Sequence, residues 1–429
     1  MIRKSYAWMM AAAVGSLLTG CEGGSGKEPS AGVENRQLEP VTLKLYQSGN
    51  YLSAQDFNDL IQEPLKKKYP HITIENVVTK NDLPALIAAG EPADFFVTWN
   101  GNMASYKDLG VYEDMTAPAK KQQLDLARFD PQALDAIRSV SDQGELYAFP
   151  YSANLNALYY NKDIFDKFGV PYPKDGMTWE DTIAIAAKLT RADNGVQYKG
   201  LDVDGVARLT FPLSLTNVDV KTNKAAVNSE SFKKAFDIGK QIYSIPGNTL
   251  DKGGAASWNR FIKDKTTAMI ATVNLFLRFK ENPELNWDVA QFPSYKDKPN
   301  VYGMYDLHVV IPLKTSKHRD DQLRVMEVLF SEEVQTTMVK KTAKVSVLKD
   351  PKYAQLFGQD IPELKGKNIA GIFKSKPAPS PAFSIHESKA SGLLNTEYEH
   401  VMNNTKDVNT ALRDAEQSIN QYILTQAGK

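Results

Sequence analysis

From Val41 onward, apolar and polar positions fall into blocks of two periods. In VTLKLYQSG (41–49), Val41, Leu43 and Leu45 recur every second residue, the period of a half-buried strand. Ser53 and Asp56 then have capping-box spacing ahead of Phe57, Leu60, Ile61 and Leu65, which share a helical face. Pro64 lies inside that helical pattern and predicts a kink or a late restart. HITIENVVT (71–79) reads as a strand, NDLPALIAAG (81–90) as a short helix and ADFFVTWNG (93–101) as a third strand. This alternation argues for an α/β layer on a largely parallel sheet.

The pattern continues to the end of the chain. Thr178 and Asp181 form a capping box at the head of WEDTIAIAAKLTR. Ser229 caps SFKKAFDIGKQIYS, which stops before Pro246-Gly247. Residues 320–341 read as one long amphipathic helix, acidic at its start and basic at its end, as the helix dipole favours. The last helix carries Val408, Leu412, Ile419 and Ile423 on one stripe. The Pro-rich KSKPAPSPAF (374–383) must be extended and is expected to cross between elements.

The N-terminus follows another pattern. Arg3 and Lys4 precede an uncharged, mostly apolar run from Ser5 to Gly20, which fits a signal-peptide core. The run ends Leu18-Thr19-Gly20-Cys21 and looks like a bacterial lipobox, with cleavage before Cys21 and a diacylglycerol on its thiol. Cys21 is the only cysteine of 429 residues, so an intrachain disulfide and a Cys-rich metal site are excluded. Residues 1–20 are thus expected to be a lipoprotein signal, and 21–40, rich in Gly, Ser, Pro and charge, a flexible tether. The implied location is the extracytoplasmic face of the cell membrane. Lys+Arg and Asp+Glu each number 51, and loss of Arg3 and Lys4 leaves a net charge of −2. Nothing basic is left over for nucleic acid.

Motifs of catalysis are missing. There is no GxSxG, P-loop, HExxH or GxGxxG, and the five histidines lack metal-ligand spacing. Asp202-Val203-Asp204-Gly205 has two acids of a calcium loop but no third ligand and no later Glu, so it reads as a polar turn. No cofactor or metal is expected. Aromatics are plentiful, with Tyr 19, Phe 18 and Trp 5. Several follow predicted strand ends: Tyr46, Tyr51, Trp99, Tyr151, Tyr302 and Tyr305. Ligands of open α/β sheets bind beyond the carboxyl ends of strands. Flat rings beside amides and carboxylates suit the apolar faces and hydroxyl rims of sugars.

One stretch carries a resemblance. Tyr147-x-x-Pro150, Leu158-Tyr159-Tyr160-Asn161-Lys162-Asp163, Gly169, Pro173 and Thr178-Trp179 resemble the family 1 extracellular solute-binding proteins, the maltose-binding-protein-like group. Ala93–Phe96, Leu109-Gly110, Phe261–Met269, Trp287–Ala290, Ile311–Lys314 and Ala411–Ile419 repeat further landmarks in order. Residues Gly303–His308 depart from the family, which has a Gly-rich strand start there. Maltose specificity therefore does not simply transfer. Around the signature, Ala157–Tyr160 is expected to be a buried strand and Asp163 the cap of the next helix.

The resemblance implies a two-lobed periplasmic-binding-protein-like α/β fold with a ligand cleft between the lobes. Lobe one would be 41–148 with 302–352, and lobe two 149–301 with 353–429. It implies a binding protein rather than an enzyme, capturing a carbohydrate (an oligosaccharide or modified sugar) by lobe closure and delivering it to an ABC permease. It would act as a monomer held to the membrane through lipid on Cys21. The ligand residues implied are Tyr51, Trp99, Asn100, Tyr151, Ser152, Asn154, Asn274, Phe276, Tyr305 and Asp306, with Trp258 and His386 behind them. Trp179 and Trp287 are assigned to packing. A binder of a non-sugar solute (glycerol phosphate, polyamine or peptide), a surface glycoside hydrolase and a surface sensor are the competing readings.

Overall fold

In the computed structural model, residues 39–91 and 93–427 are described; the expected lipobox with Cys21, and nearly all of the tether, lie outside them. The strands that position the site are β1 (Val41–Ser48), β2 (Ile72–Thr79), β3 (Phe95–Trp99), β4 (Phe149–Ala153), β5 (Asn156–Asn161), β6 (Asp202–Val203), β7 (Met269–Val273), β8 (Trp287–Ala290), β9 (Val301–Met304), β10 (Leu307–Pro312) and β11 (Lys376–Ala378). They form a five-stranded sheet, β2-β1-β3-β10-β4, and a four-stranded sheet, β8-β5-β7-β6. β9 and β11 pair separately, in parallel.

Each sheet has its own core. The first draws on Leu43–Ala153 and Tyr305–Tyr353. The second draws on Leu155–Tyr302, Ala343 and Phe357–Ile423. Phe149–Ala153, expected to open the second lobe, instead pairs with β10 in the first sheet. Tyr302, expected in the first lobe, packs in the second core. The sheets are mixed rather than largely parallel. β1, β2 and β3 are parallel, but β10 runs antiparallel to β3 and β4, because its chain arrives from the second lobe at the opposite end.

Local signals mostly act as their chemistry dictates. Ser53 accepts from the Asp56 amide at 3.1 Å, and the Thr178–Asp181 capping box is formed on both sides. Pro64 has no N–H to donate, and the expected interruption is a π turn, Asn58–Gln62, between helices Ala54–Phe57 and Glu63–Lys68. The long helix expected over 320–341 is two, Arg319–Leu329 and Glu332–Lys341. The break lets Phe330 turn into the core, and Ser331 caps the second helix at 3.3 Å from the Val334 amide. Asn161, not Asp163, caps helix Lys162–Phe168. The strand before it is buried on both faces, as expected. Trp179 and Trp287 are core residues, Trp287 stacked 3.8 Å from Phe279.

The chain passes between the cores in extended segments that bond to one another. Ala153 and Val345 exchange backbone hydrogen bonds, at 2.8 and 3.2 Å. The Asn154 amide donates to the Asp306 carbonyl at 2.8 Å, and Asn156 Nδ2 to the Tyr302 carbonyl at 2.7 Å. Pro-rich 374–383 supplies β11 and then a strap whose Phe383 reaches the first lobe.

The second core also holds a carboxyl. Asp202 is fully buried and accepts from the Tyr243 hydroxyl at 2.6 Å, and burial raises its pKa to about 7. Between the unfolded value near 3.8 and about 7, the folded state binds the extra proton, so Asp202 costs stability as pH rises through that window. Asp202→Asn is expected to remove this slope. Urea midpoints of both proteins from pH 4 to 7.5 test it, and a constant gap between the two curves refutes it.

Candidate functional site

The carboxyl ends of β1 and β3 and the amino end of β10 share one edge of the first sheet, where His308 lies opposite Trp99 in the ladder. Tyr51, Trp99, Asp306 and His308 stand there. In the second sheet the carboxyl ends of β6 and β7 and the amino end of β5 share an edge. Asp204, Asn274 and Asn156 stand there. The bond between Asn154 and Asp306 joins the two edges, so polar groups of both lobes converge at the crossing.

The first-lobe wall is tightly supported. The Tyr51 ring meets His308 edge-on at 5.2 Å, and the Tyr51 carbonyl accepts from the Tyr151 hydroxyl at 3.1 Å. His308 lies between Tyr51 and Tyr151, with Nδ1 3.3 Å from Ser152 Oγ. Burial, and then the nearby Lys344 charge, bring its pKa down to about 3, so the ring is neutral at physiological pH. Lys344 is itself paired to Asp56 at 2.6 Å. Burial pushes the Asp306 carboxyl up, while the Arg208 charge and the Asn154 amide, 3.3 Å from Oδ2, pull it back.

The second-lobe wall is organised by Asp204. Its carboxylate accepts from Arg208 Nε at 2.7 Å, Trp258 Nε1 at 3.2 Å and the Thr272 hydroxyl. Arg208 also donates from Nη1 to Asn156 Oδ1 at 2.9 Å. The Trp258 ring has the Arg278 guanidinium 5.3 Å from its centre. One carboxylate thus fixes both a cation and an indole at the junction.

The expected ligand residues divide by exposure. Tyr51, Trp99, Asn154 and Asp306 are partly exposed and come together at the crossing, with Asn274 nearby. Trp99 lies against Phe383, ring centres 5.6 Å apart, and covers Gly101. A Cβ at 101 would sit 2.1 Å from the indole, so only glycine fits beneath it. Asn274 uses its amide on the Ala343 carbonyl and its Oδ1 on the Phe276 amide. Tyr151, Ser152 and Phe276 are buried; Phe276 packs among Tyr159, Trp287 and Phe357. Tyr305 is buried and bonds Asp130 through its hydroxyl. It lines a cavity of about 910 Å³ with Tyr302, Leu155, Val345 and Phe373, which none of Tyr51, Trp99, Asn154 and Asp306 lines. His386 is buried against Tyr422.

Asp204, Arg208 and His308 were not singled out by sequence as site residues. The i,i+4 spacing of Asp204 and Arg208 just past a short buried strand was the available signal. Asp202 and Asp204 serve different partners, and among the described residues no cluster of three or more His, Cys, Asp or Glu side chains is placed to hold a metal. No helix among them is long and apolar enough to cross a membrane.

Two α/β lobes with opposed strand ends define a solute-binding architecture. The profile of the bacterial extracellular solute-binding protein family matches residues 51–336, and the chain belongs to that family. It is similar to a binding protein of Brucella abortus, 22% identical over 376 residues that span 78% of this chain and 89% of that protein. Its fold is similar to an ABC substrate-binding protein from Listeria monocytogenes solved in complex with cycloalternan. That match has a TM-score of 0.73 and 20% identity, covering 90% of this chain and 99% of the other. A sugar-binding protein from Xanthomonas citri matches with a TM-score of 0.70 and 18% identity, over 90% and 98%. These relatives are binding proteins rather than enzymes.

Asn100 is buried and its amide is fully engaged. Nδ2 donates to the Tyr305 carbonyl at 3.2 Å and to Ser380 Oγ at 3.1 Å, while Oδ1 accepts from the Leu307 amide at 2.9 Å. It clamps the backbone on both sides of Asp306. Asn100→Ala is expected to cost about 1–3 kcal/mol in chemical denaturation, the scale of buried groups left unpaired. A variant as stable as the parent would show that this clamp carries no weight.

Proposed function

We propose that this protein is the lipid-anchored binding component of an ABC importer for a carbohydrate, an oligosaccharide or a modified sugar. The observation that carries the reading is the set of partly exposed rings, Tyr51, Trp99 and Trp258, beside Asn154, Asp306 and Arg208 where the two lobes meet. Rings of this kind cover sugar C–H faces, and the amide, carboxylate and guanidinium take the hydroxyls. The cycloalternan complex of the Listeria protein and the sugar-binding description of the Xanthomonas protein support the same class.

The mechanism follows from the crossing. A ligand between the lobes touches both walls only when they are closed together, so binding favours closure by its differential contacts. The closed protein then delivers its ligand to a membrane permease. The lobes would be those given by the two cores, with the boundary after Ala153. Cys21 would carry the lipid, two acyl chains of which hold a protein stably at a membrane. The protein would work as a monomer on the extracytoplasmic face.

Two measurements test this reading. Titration with a neutral oligosaccharide panel is expected to quench or shift tryptophan fluorescence. Trp99→Ala should weaken binding by about 1–3 kcal/mol, the scale of a buried aromatic contact. Calorimetry showing unchanged affinity would remove Trp99 from the site. For the anchor, Cys21→Ser is expected to move the protein from the membrane fraction to the soluble one in a bacterial host. Retention on the membrane would refute lipidation at Cys21.

A further inference from the structure

The charges around the crossing are unevenly matched. Arg208 is paired with Asp204 at 2.7 Å, Lys344 with Asp56 at 2.6 Å and Arg278 with Glu281 at 3.0 Å. Each of these three cations therefore has its own carboxylate. Asp306 has no such partner among the described residues. Its side chain takes one long bond, 3.3 Å, from the Asn154 amide, and its Oδ1 has no donor among the described residues. Arg208 spends Nε on Asp204 and Nη1 on Asn156, which leaves Nη2 without a protein acceptor among the described residues. The two unfilled positions lie close together, because Asn154 and Asn156, two residues apart on one crossing segment, hold Asp306 and Arg208 respectively.

We infer that Asp306 and Arg208 are the polar specificity determinants of the cleft, and that they select a neutral saccharide by gripping two adjacent hydroxyls. The carboxylate accepts a hydrogen bond from one hydroxyl while Nη2 donates to the oxygen of its neighbour. Asp306 comes from the first lobe and Arg208 from the second, so one diol bridges both. The inference rests on the carbohydrate reading above and narrows it. A phosphorylated or carboxylated ligand would meet Asp306 as a like charge and find Arg208, Lys344 and Arg278 already compensated. A polyamine would need several free carboxylates and find one. The fork of Arg208 is fixed by Asp204, which makes its remaining donor directional.

Full-length protein is screened by thermal shift against neutral hexoses, hexitols and di- to hexasaccharides. Oligogalacturonate, glycerol 3-phosphate and spermidine are included as charged probes. Neutral saccharides alone are expected to raise Tm. The tightest of them is then titrated by calorimetry against Asp306→Asn, Arg208→Gln and Arg208→Lys. Asp306→Asn and Arg208→Gln should each weaken binding about 10- to 100-fold, the range for a hydrogen bond to a charged group. Arg208→Lys should also weaken it, since it keeps the charge and loses the fork. Should an Arg208 variant fail to fold, Asp306→Asn, which keeps the shape of the side chain, still decides. Affinities within twofold of wild type overturn the assignment and leave the carbohydrate reading standing. A panel with no neutral binder, whichever charged probe binds, overturns both.

Discussion

The backbone hydrogen bonds between the crossing segments constrain everything else in this molecule. Ala153 and Val345 bond reciprocally, and the Asn154 amide holds the Asp306 carbonyl. Two separately packed cores are joined by extended chain whose polar groups satisfy one another. A buried crossing would otherwise leave backbone groups unpaired, at a cost comparable to lost hydrogen bonds. The pairing also limits how the lobes can move. Relative motion must be taken up by changes of φ and ψ in these few residues, because both cores resist deformation.

The same constraint explains why site residues are found at the crossing. β10 enters the first sheet straight from a crossing segment, antiparallel to β3, so its first residues lie at the carboxyl edge of β1 and β3. β5 leaves the other way, and its first residue lies at the carboxyl edge of β6 and β7. Asp306 and Asn156 are therefore brought to facing edges by topology, before any side chain is chosen. Asn100 secures the arrangement by bonding the backbone of both Tyr305 and Leu307. It serves the site as a clamp and has no free polar atom for a ligand.

The sequence made the fold readable because its signals are local. A period-two run marked β1, short apolar runs marked β2 and β3, and the Ser53, Thr178 and Ser229 caps fix helix starts through bonds three residues away. What was missed depends on contacts distant in sequence. β10 is antiparallel because of where its chain comes from, which no local period records. The break before Ser331 exists because Phe330 must reach Phe129 and Phe149. The candidate site was half legible. Proximity to a strand end marked Tyr51, Trp99, Asn154 and Asp306, but it equally marked Tyr151 and Phe276, whose rings turn inward. An aromatic beyond a strand can face either way, and only its packing partners decide.

Burial of titratable groups shows how the two lobes differ in electrostatic design. In the first lobe, His308 is kept neutral between two tyrosine rings, and Lys344 beside it is neutralised by Asp56. In the second, Asp202 sits in the core while Asp204, two residues on, accepts from three donors. Two residues separate a carboxyl that burial pushes up from one whose oxygens accept from three donors. The strand ends at Val203, so the alternation that would keep residues 202 and 204 on one face no longer holds, and Asp204 turns to the junction. The end of the strand therefore divides the two acids: Asp202 is a cost to the lobe, and Asp204 builds the wall that faces the opposite lobe.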